Sequence, residues 1–102
     1  MSSPVKFVYI GTYTGKGSEG IYRFKFDAAA GKLTEDGLAA KVSSPSFLAV
    51  STNRKHLYCC NETMEFMGMK SGAASSFDIT AETGELNPLD QAQSGGQGPC
   101  YI

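Results

Sequence analysis

A chain of 102 residues, 41% hydrophobic and 19% charged, carries enough apolar side chains for one small core, which argues for a single globular unit and against intrinsic disorder. Its formal net charge is −1 and its nine basic residues are scattered, with only Arg54 and Lys55 adjacent, so it offers no electrostatic footprint for a phosphate backbone, and nucleic acid is not an expected partner. The apolar run in MSSPVKFVYI spans only four residues, too short for a signal-peptide core or a membrane span; the expected compartment is the cytoplasm, with no membrane contact.

Nowhere do apolar residues keep helical spacing over three turns, whereas short alternating or wholly apolar runs recur between Gly, Ser, Asn and Asp clusters, the pattern of an all-β chain. In chain order, strands are expected at KFVYIGTY (6–13), GIYRFKFD (20–27), GLAAKV (37–42), SFLAVS (46–51), HLYCCNE (56–62), GAASSFDI (72–79), LDQAQS (89–94) and PCYI (99–102). DAAAG (27–31) is helix-friendly but ends in Gly after five residues, and reads as a turn. Cys59 and Cys60 are adjacent, so in a strand they point to opposite faces; with Cys100 they suggest reduced thiols rather than a disulfide framework. There is no Cys-x-x-Cys pair and His56 is the single histidine, so no metal site is expected.

Sliding the sequence on itself reveals a repeat. FKFDAAAGKLTEDG (24–37) lies over FDITAETGELNPLD (77–90) at an offset of 53, setting Phe24 on Phe77, Phe26 on Ile79, Gly31 on Gly84 and Leu33 on Leu86. One inserted residue later PSFL (45–48) falls on PCYI (99–102), and upstream FVYIGT (7–12) lies over HLYCCN (56–61) at offset 49, with Tyr9 on Tyr58. A period of about 50 residues made of four short strands is what propeller blades show, because one blade cannot cover its own two apolar faces and must stack on neighbours.

With the strands of a blade named A to D from the centre outward, residues 1–102 are expected to form one partial propeller domain: strands B to D of a first blade over about 6–42, a complete second blade over about 43–94 and the start of a third over about 95–102. Two blades fall below the roughly four to eight that close a ring, so the chain reads as the N-terminal part of a longer ring. Phe7, Tyr9, Tyr22, Phe24, Phe26, Phe47, Leu48, Val50, Leu57, Tyr58, Phe77 and Ile79 are expected in the blade cores or between blades.

VYIGTYT, SPSFLAVSTNRKHLYCCNE, FDITAETGEL and GGQGPCYI, in this order and spacing, resemble the N-terminal part of the seven-bladed lactonase propellers, a likeness covering nearly the whole chain. The resemblance implies hydrolysis of a sugar lactone of the 6-phosphogluconolactone type, a step of carbohydrate metabolism, without cofactor or metal; related members act as carboxymuconate cyclases. One position departs from the pattern: relatives often carry His after the Pro-Cys pair, where this chain has Tyr101. A role that needs an imidazole there is not open to it.

An up-and-down blade sends its B–C and D-to-next-A connections to one rim of the ring. On that rim fall the longer, Gly-rich segments GTYTGKGSEG (11–20), SSPS (43–46), NETMEFMGMKSG (61–72) and SGGQGPC (94–100), the kind that carry function on a rigid scaffold. Glu62 ends an inner strand there; it can act as general base for water attacking a lactone carbonyl, or serve as a loop anchor that accepts backbone N–H bonds. Lys16 and Lys70 can meet a substrate phosphate or carboxylate, or stay solvated. Ser44, Ser46 and Asn61 can hydrogen-bond sugar hydroxyls, though all three types also cap turns; Tyr13, Gln97 and Tyr101 complete the candidate substrate contacts. His56 lies on the opposite rim and reads as structural.

GTYTGKGSEG lacks the phosphate-loop spacing and a following helix, which argues against a nucleotide site. No Gly-x-Ser-x-Gly elbow is present and the lone histidine faces the other rim, so a Ser-His-Asp triad cannot be built from this chain. Two alternatives to the hydrolase stay open: a non-catalytic propeller binding module, and an inactive structural fragment. Either way the blade faces left open are expected to meet the remaining blades or further copies of the chain.

Overall fold

The computed structural model describes residues 6–102. Seven strands run through it: β1 (Lys6–Ile10), β2 (Gly20–Asp27), β3 (Lys32–Lys41), β4 (Pro45–Val50), β5 (His56–Asn61), β6 (Ala73–Ile79) and β7 (Leu86–Gln93), with no helix among the described residues. All pairings are antiparallel between chain neighbours, in a three-stranded sheet ordered β1-β2-β3 and a four-stranded sheet ordered β4-β5-β6-β7. This is the all-β blade arrangement that the sequence pattern gives.

Local chemistry explains the connections. At the β2–β3 turn the Asp27 carboxylate accepts the backbone N–H groups of Ala29 (3.0 Å) and Ala30 (3.3 Å), and Gly31 takes φ +64°, so DAAAG is a turn as expected. The strands after it and after the matching turn start earlier than the sequence suggests, at Lys32 rather than 37 and at Leu86 rather than 89. Both are outermost strands whose polar, exposed residues show no alternating apolar signal, and both contain a pairing irregularity, opposite Tyr22–Phe24 in β3 and opposite Ser76–Phe77 in β7. PCYI is a correction: residues 99–102 form no strand, since none of the seven strands pairs with them. They lie instead on the free face of the second sheet, where the Tyr101 ring sits 4.8 Å from that of Phe47 and Ile102 shares a shallow cleft with Tyr58.

The core lies between the sheets. Ile21 of β2 packs on Leu57 and Cys59 of β5, Phe77 of β6 and Leu86 of β7, ringed by Tyr9, Ala39, Ala40, Val42, Leu48 and Ile79. At its edge the Tyr9 hydroxyl donates to the Gly84 carbonyl at 2.6 Å while the Phe7 ring lies against the Gly84 Cα, leaving no room for a Cβ. Of the residues expected inside, Leu57 and Phe77 are buried, Val50 and Tyr58 are exposed, and the other eight are half-buried. Ile21, Cys59, Cys60, Ala73 and Leu86 are buried in addition. Two stacked sheets share only one face, and whatever points away from it stays partly in water.

Candidate functional site

The connections 11–19, 42–44 and 62–72 and the segment after β7 meet at one end of the sheets, and hydrogen bonds tie them together. Thr14 and Ser44 exchange bonds between the first two (Thr14 N–H to Ser44 Oγ 3.2 Å, Ser44 N–H to Thr14 Oγ1 3.0 Å), and Gly98 N–H reaches the Thr63 carbonyl at 2.9 Å. Ser94 and Gly72 are joined the same way at 2.9 Å. The short turns 28–31, 51–55 and 80–85 lie at the other end, with His56. There His56 Nδ1 sits 2.9 Å from the Asp78 carboxylate of the neighbouring strand, an ion-pair distance without hydrogen-bond alignment.

At the loop-bearing end the chain brings Tyr13, Ser46 and Glu62 together. Ser46 Oγ donates to Glu62 Oε1 at 2.7 Å and Tyr13 Oη donates to the same oxygen at 3.1 Å. Glu62 is half-buried and Tyr13 is 65% exposed, so the cluster opens to solvent on one side. The backbone sets this geometry: Glu62 N–H donates to the Ser44 carbonyl at 2.9 Å, and Gly11 presses on the Pro45 carbonyl so closely that any side chain at 11 would displace it. The Glu62 carboxylate, by accepting the Tyr13 hydrogen bond and by its charge, raises the phenol above its ordinary pKa of 10.0.

The other candidates are dispersed. Ser44 spends its hydroxyl on Thr14 and takes φ +39°, a left-handed conformation rare for a residue with a side chain. Asn61 is 1% exposed and faces inward: its Nδ2 donates to the Ser43 carbonyl at 2.6 Å, and its Oδ1 accepts from Ser75 Oγ at 2.6 Å and Gln91 Nε2 at 3.4 Å. Gln97 Nε2 donates to the Met64 carbonyl at 3.1 Å. Tyr101 is 79% exposed beyond Phe47. Lys16 and Lys70 are exposed, with no side-chain hydrogen bond or ion pair among the described residues.

Thr14, Ser75 and Gln91, which hold these groups, escape a reading of the sequence. Thr14 carries no spacing signal, and the inward turn of Ser75 and Gln91 follows only from strand alternation once the register is known. Burial pushes the Cys59 thiol up to about 11 against the opposing hydrogen bond from Ser75; Cys60 is also buried and unpaired, and Cys100 is exposed. Among the described residues no three His, Cys, Asp or Glu side chains cluster for a metal ion, and no helix is long and apolar enough to cross a membrane.

Comparison with known proteins bears on this geometry. Residues 7–102 match the family described as lactonase, 7-bladed beta-propeller. The 6-phosphogluconolactonase of Bacillus subtilis (strain 168) is 35% identical over 94 residues, which is 92% of this chain and 26% of that protein. A Bacteroides uniformis ATCC 8492 protein provisionally named 6-phosphogluconolactonase superposes with a TM-score of 0.85 at 33% identity, over 96% of this chain and 27% of its own. The periplasmic gluconolactonase of Pseudomonas aeruginosa superposes at 0.83 and 31% identity, over 95% and 27%. The chain thus spans about a quarter of the length of the relatives it matches. With its blade-like sheets matched over nearly their full extent, it belongs to the seven-bladed β-propeller lactonase family.

Proposed function

We propose that this chain supplies about two blades, and part of one mouth of the channel, to a ring that hydrolyses a sugar lactone of the 6-phosphogluconolactone type. In this reading the first sheet is strands B to D of the first blade, the second sheet is the second blade, and residues from about 95 open the third. The observation that carries it is the Glu62 carboxylate at the loop-bearing end, fixed by two donors on Oε1. Its other oxygen takes a proton from water as the water oxygen adds to the lactone carbonyl; the tetrahedral adduct collapses with cleavage of the ring C–O bond, and the proton passes on to the departing alkoxide. The product is the open-chain sugar acid, and no covalent enzyme intermediate or cofactor is involved.

Tyr13 and Ser46, on the same carboxylate, and Ser44, Gln97 and Tyr101 nearby along the rim segments, are proposed to face the sugar, with Lys16 and Lys70 meeting a phosphate. The three unpaired cysteines suit a reducing compartment, and with it a cytoplasmic pentose phosphate step. Glu62→Gln in the full-length ring, assayed by acid release from 6-phosphogluconolactone, tests the reading. A loss of kcat of about 100-fold is expected for removal of a general base; unchanged turnover would overturn it. A second reading, a binding platform, draws on one observation: Met64, Met67 and Met69 on the 62–72 loop are 64%, 84% and 54% exposed, an adaptable apolar surface at the same end.

A further inference from the structure

Glu62 reaches its place through a segment that is itself gripped from two sides. Ser43–Ser46 runs from the connection between the sheets into the start of β4, and its tight course shows in Ser44 at φ +39°. From the first sheet's loop, Thr14 holds Ser44 by two bonds, its Oγ1 accepting Ser44 N–H at 3.0 Å and its N–H reaching Ser44 Oγ at 3.2 Å. From beneath, Asn61 Nδ2 pulls on the Ser43 carbonyl at 2.6 Å, and Asn61 is in turn locked by Ser75, whose hydroxyl is also 2.9 Å from Gln91 Nε2. Held so, the Ser44 carbonyl accepts both Glu62 N–H (2.9 Å) and Ser46 N–H (2.8 Å), and Ser46 Oγ meets Glu62 Oε1 at 2.7 Å.

We propose that Asn61 and Thr14 are positioning residues: the two jaws of a clamp on Ser43–Ser46 that aims the Glu62 carboxylate at Tyr13 and fixes which carboxylate oxygen is left free. The inference rests on the hydrolase reading only for its effect on turnover. The clamp itself concerns geometry, and neither jaw touches substrate. Asn61 is 1% exposed, buried behind the residue it aims. Burial of an amide bonded on both sides, its Nδ2 to the Ser43 carbonyl and its Oδ1 from Ser75 and Gln91, is the arrangement that favours a single geometry.

The Tyr13 phenol reports on the clamp without any turnover, because the carboxylate hydrogen-bonded to it raises its titration midpoint, against an opposing hydrogen bond from Ser46 and with a smaller raising contribution from Cys100. In the full-length ring, Tyr13 ionisation is followed through its ring carbon by NMR. Glu62→Gln gives the midpoint without the carboxylate. Asn61→Ala and Thr14→Val are each expected to lower the Tyr13 midpoint toward that of Glu62→Gln, and Asn61→Ala combined with Glu62→Gln to lower it no further than Glu62→Gln alone. Thr14→Val lies in a surface loop and keeps the test decisive if Asn61→Ala does not fold. A Tyr13 midpoint unchanged from wild type in Thr14→Val, or additive shifts in the double variant, overturns the clamp. In the full-length ring the same variants are expected to lower kcat about tenfold with KM nearly unchanged, as misplacement of a catalytic group does. If Glu62→Gln leaves turnover intact while the Tyr13 midpoints move as stated, the hydrolase reading fails and the clamp stands.

Discussion

Two neighbouring cysteines in β5 show how a strand gives identical side chains different surroundings. Cys59 turns toward the first sheet into the core, beside Ser75, and Cys60 turns the other way toward Ser46. Desolvation disfavours the thiolate at 59, so the folded chain keeps a proton there that the unfolded chain begins to lose near 9.0. Because the folded value is the higher one, the stability this contributes is complete below pH 9.0 and declines as pH rises toward about 11. Thermal unfolding followed at several pH values is expected to show that decline in the wild type and a shallower one in Cys59→Ala. An equally steep decline in Cys59→Ala would place the titration elsewhere. At the same scale, Tyr9 is raised by its own burial, with Arg23 opposing, so the hydroxyl that bonds the Gly84 carbonyl stays a donor well into alkaline solution.

Between the elements, the repeat makes a controlled comparison. Val8 pairs with Phe24 in the first sheet as Leu57 pairs with Phe77 in the second, and Leu33 follows the Gly31 turn as Leu86 follows the Gly84 turn. The sequence treats each pair alike, yet Leu86 is 7% exposed and Leu33 54%, because the first sheet lies over one and nothing lies over the other. Leu86→Ala is accordingly expected to destabilise the chain by about 2–4 kcal/mol, the range for emptying a buried leucine site, and Leu33→Ala by under about 0.5 kcal/mol. Denaturant unfolding of the two variants measures this. Equal losses would mean that Leu33 is covered in solution.

For the whole molecule that last condition matters. The outward face of the first sheet sets Val8, Ile10, Tyr22, Phe24 and Phe26 side by side, at positions whose repeat equivalents are the bonding surface of the second sheet. Apolar area left in water forgoes roughly 25 cal/mol per Å², and a contiguous apolar face on an open sheet is the kind of surface that marks an interaction site. The 102-residue polypeptide is therefore expected to self-associate at low micromolar concentration. Phe24→Lys, placing a charge at the centre of the face, is expected to shift it toward smaller species. Sedimentation velocity decides: a wild-type chain that sediments as a compact monomer would show that this face needs no partner.

The sequence by itself determined the strand type, the blade repeat, the sorting of loops between two ends and the family, because alternation, turn chemistry and period are local or translational properties that one chain displays directly. It placed Glu62, Ser46 and Tyr13 on the same rim through the order of strands alone. Only the tertiary structure decided that these three meet on one carboxylate oxygen while Asn61, one residue before Glu62, turns into the interior. Those facts depend on which way each side chain leaves a strand end, on the left-handed turn at Ser44 and on the register of β5 with β6, none of which is encoded in spacing. The same holds for burial: Ile21 and Tyr22 are neighbours of similar apolar character in one strand, and only the stacking of the second sheet on one face makes the first core and leaves the second half in water.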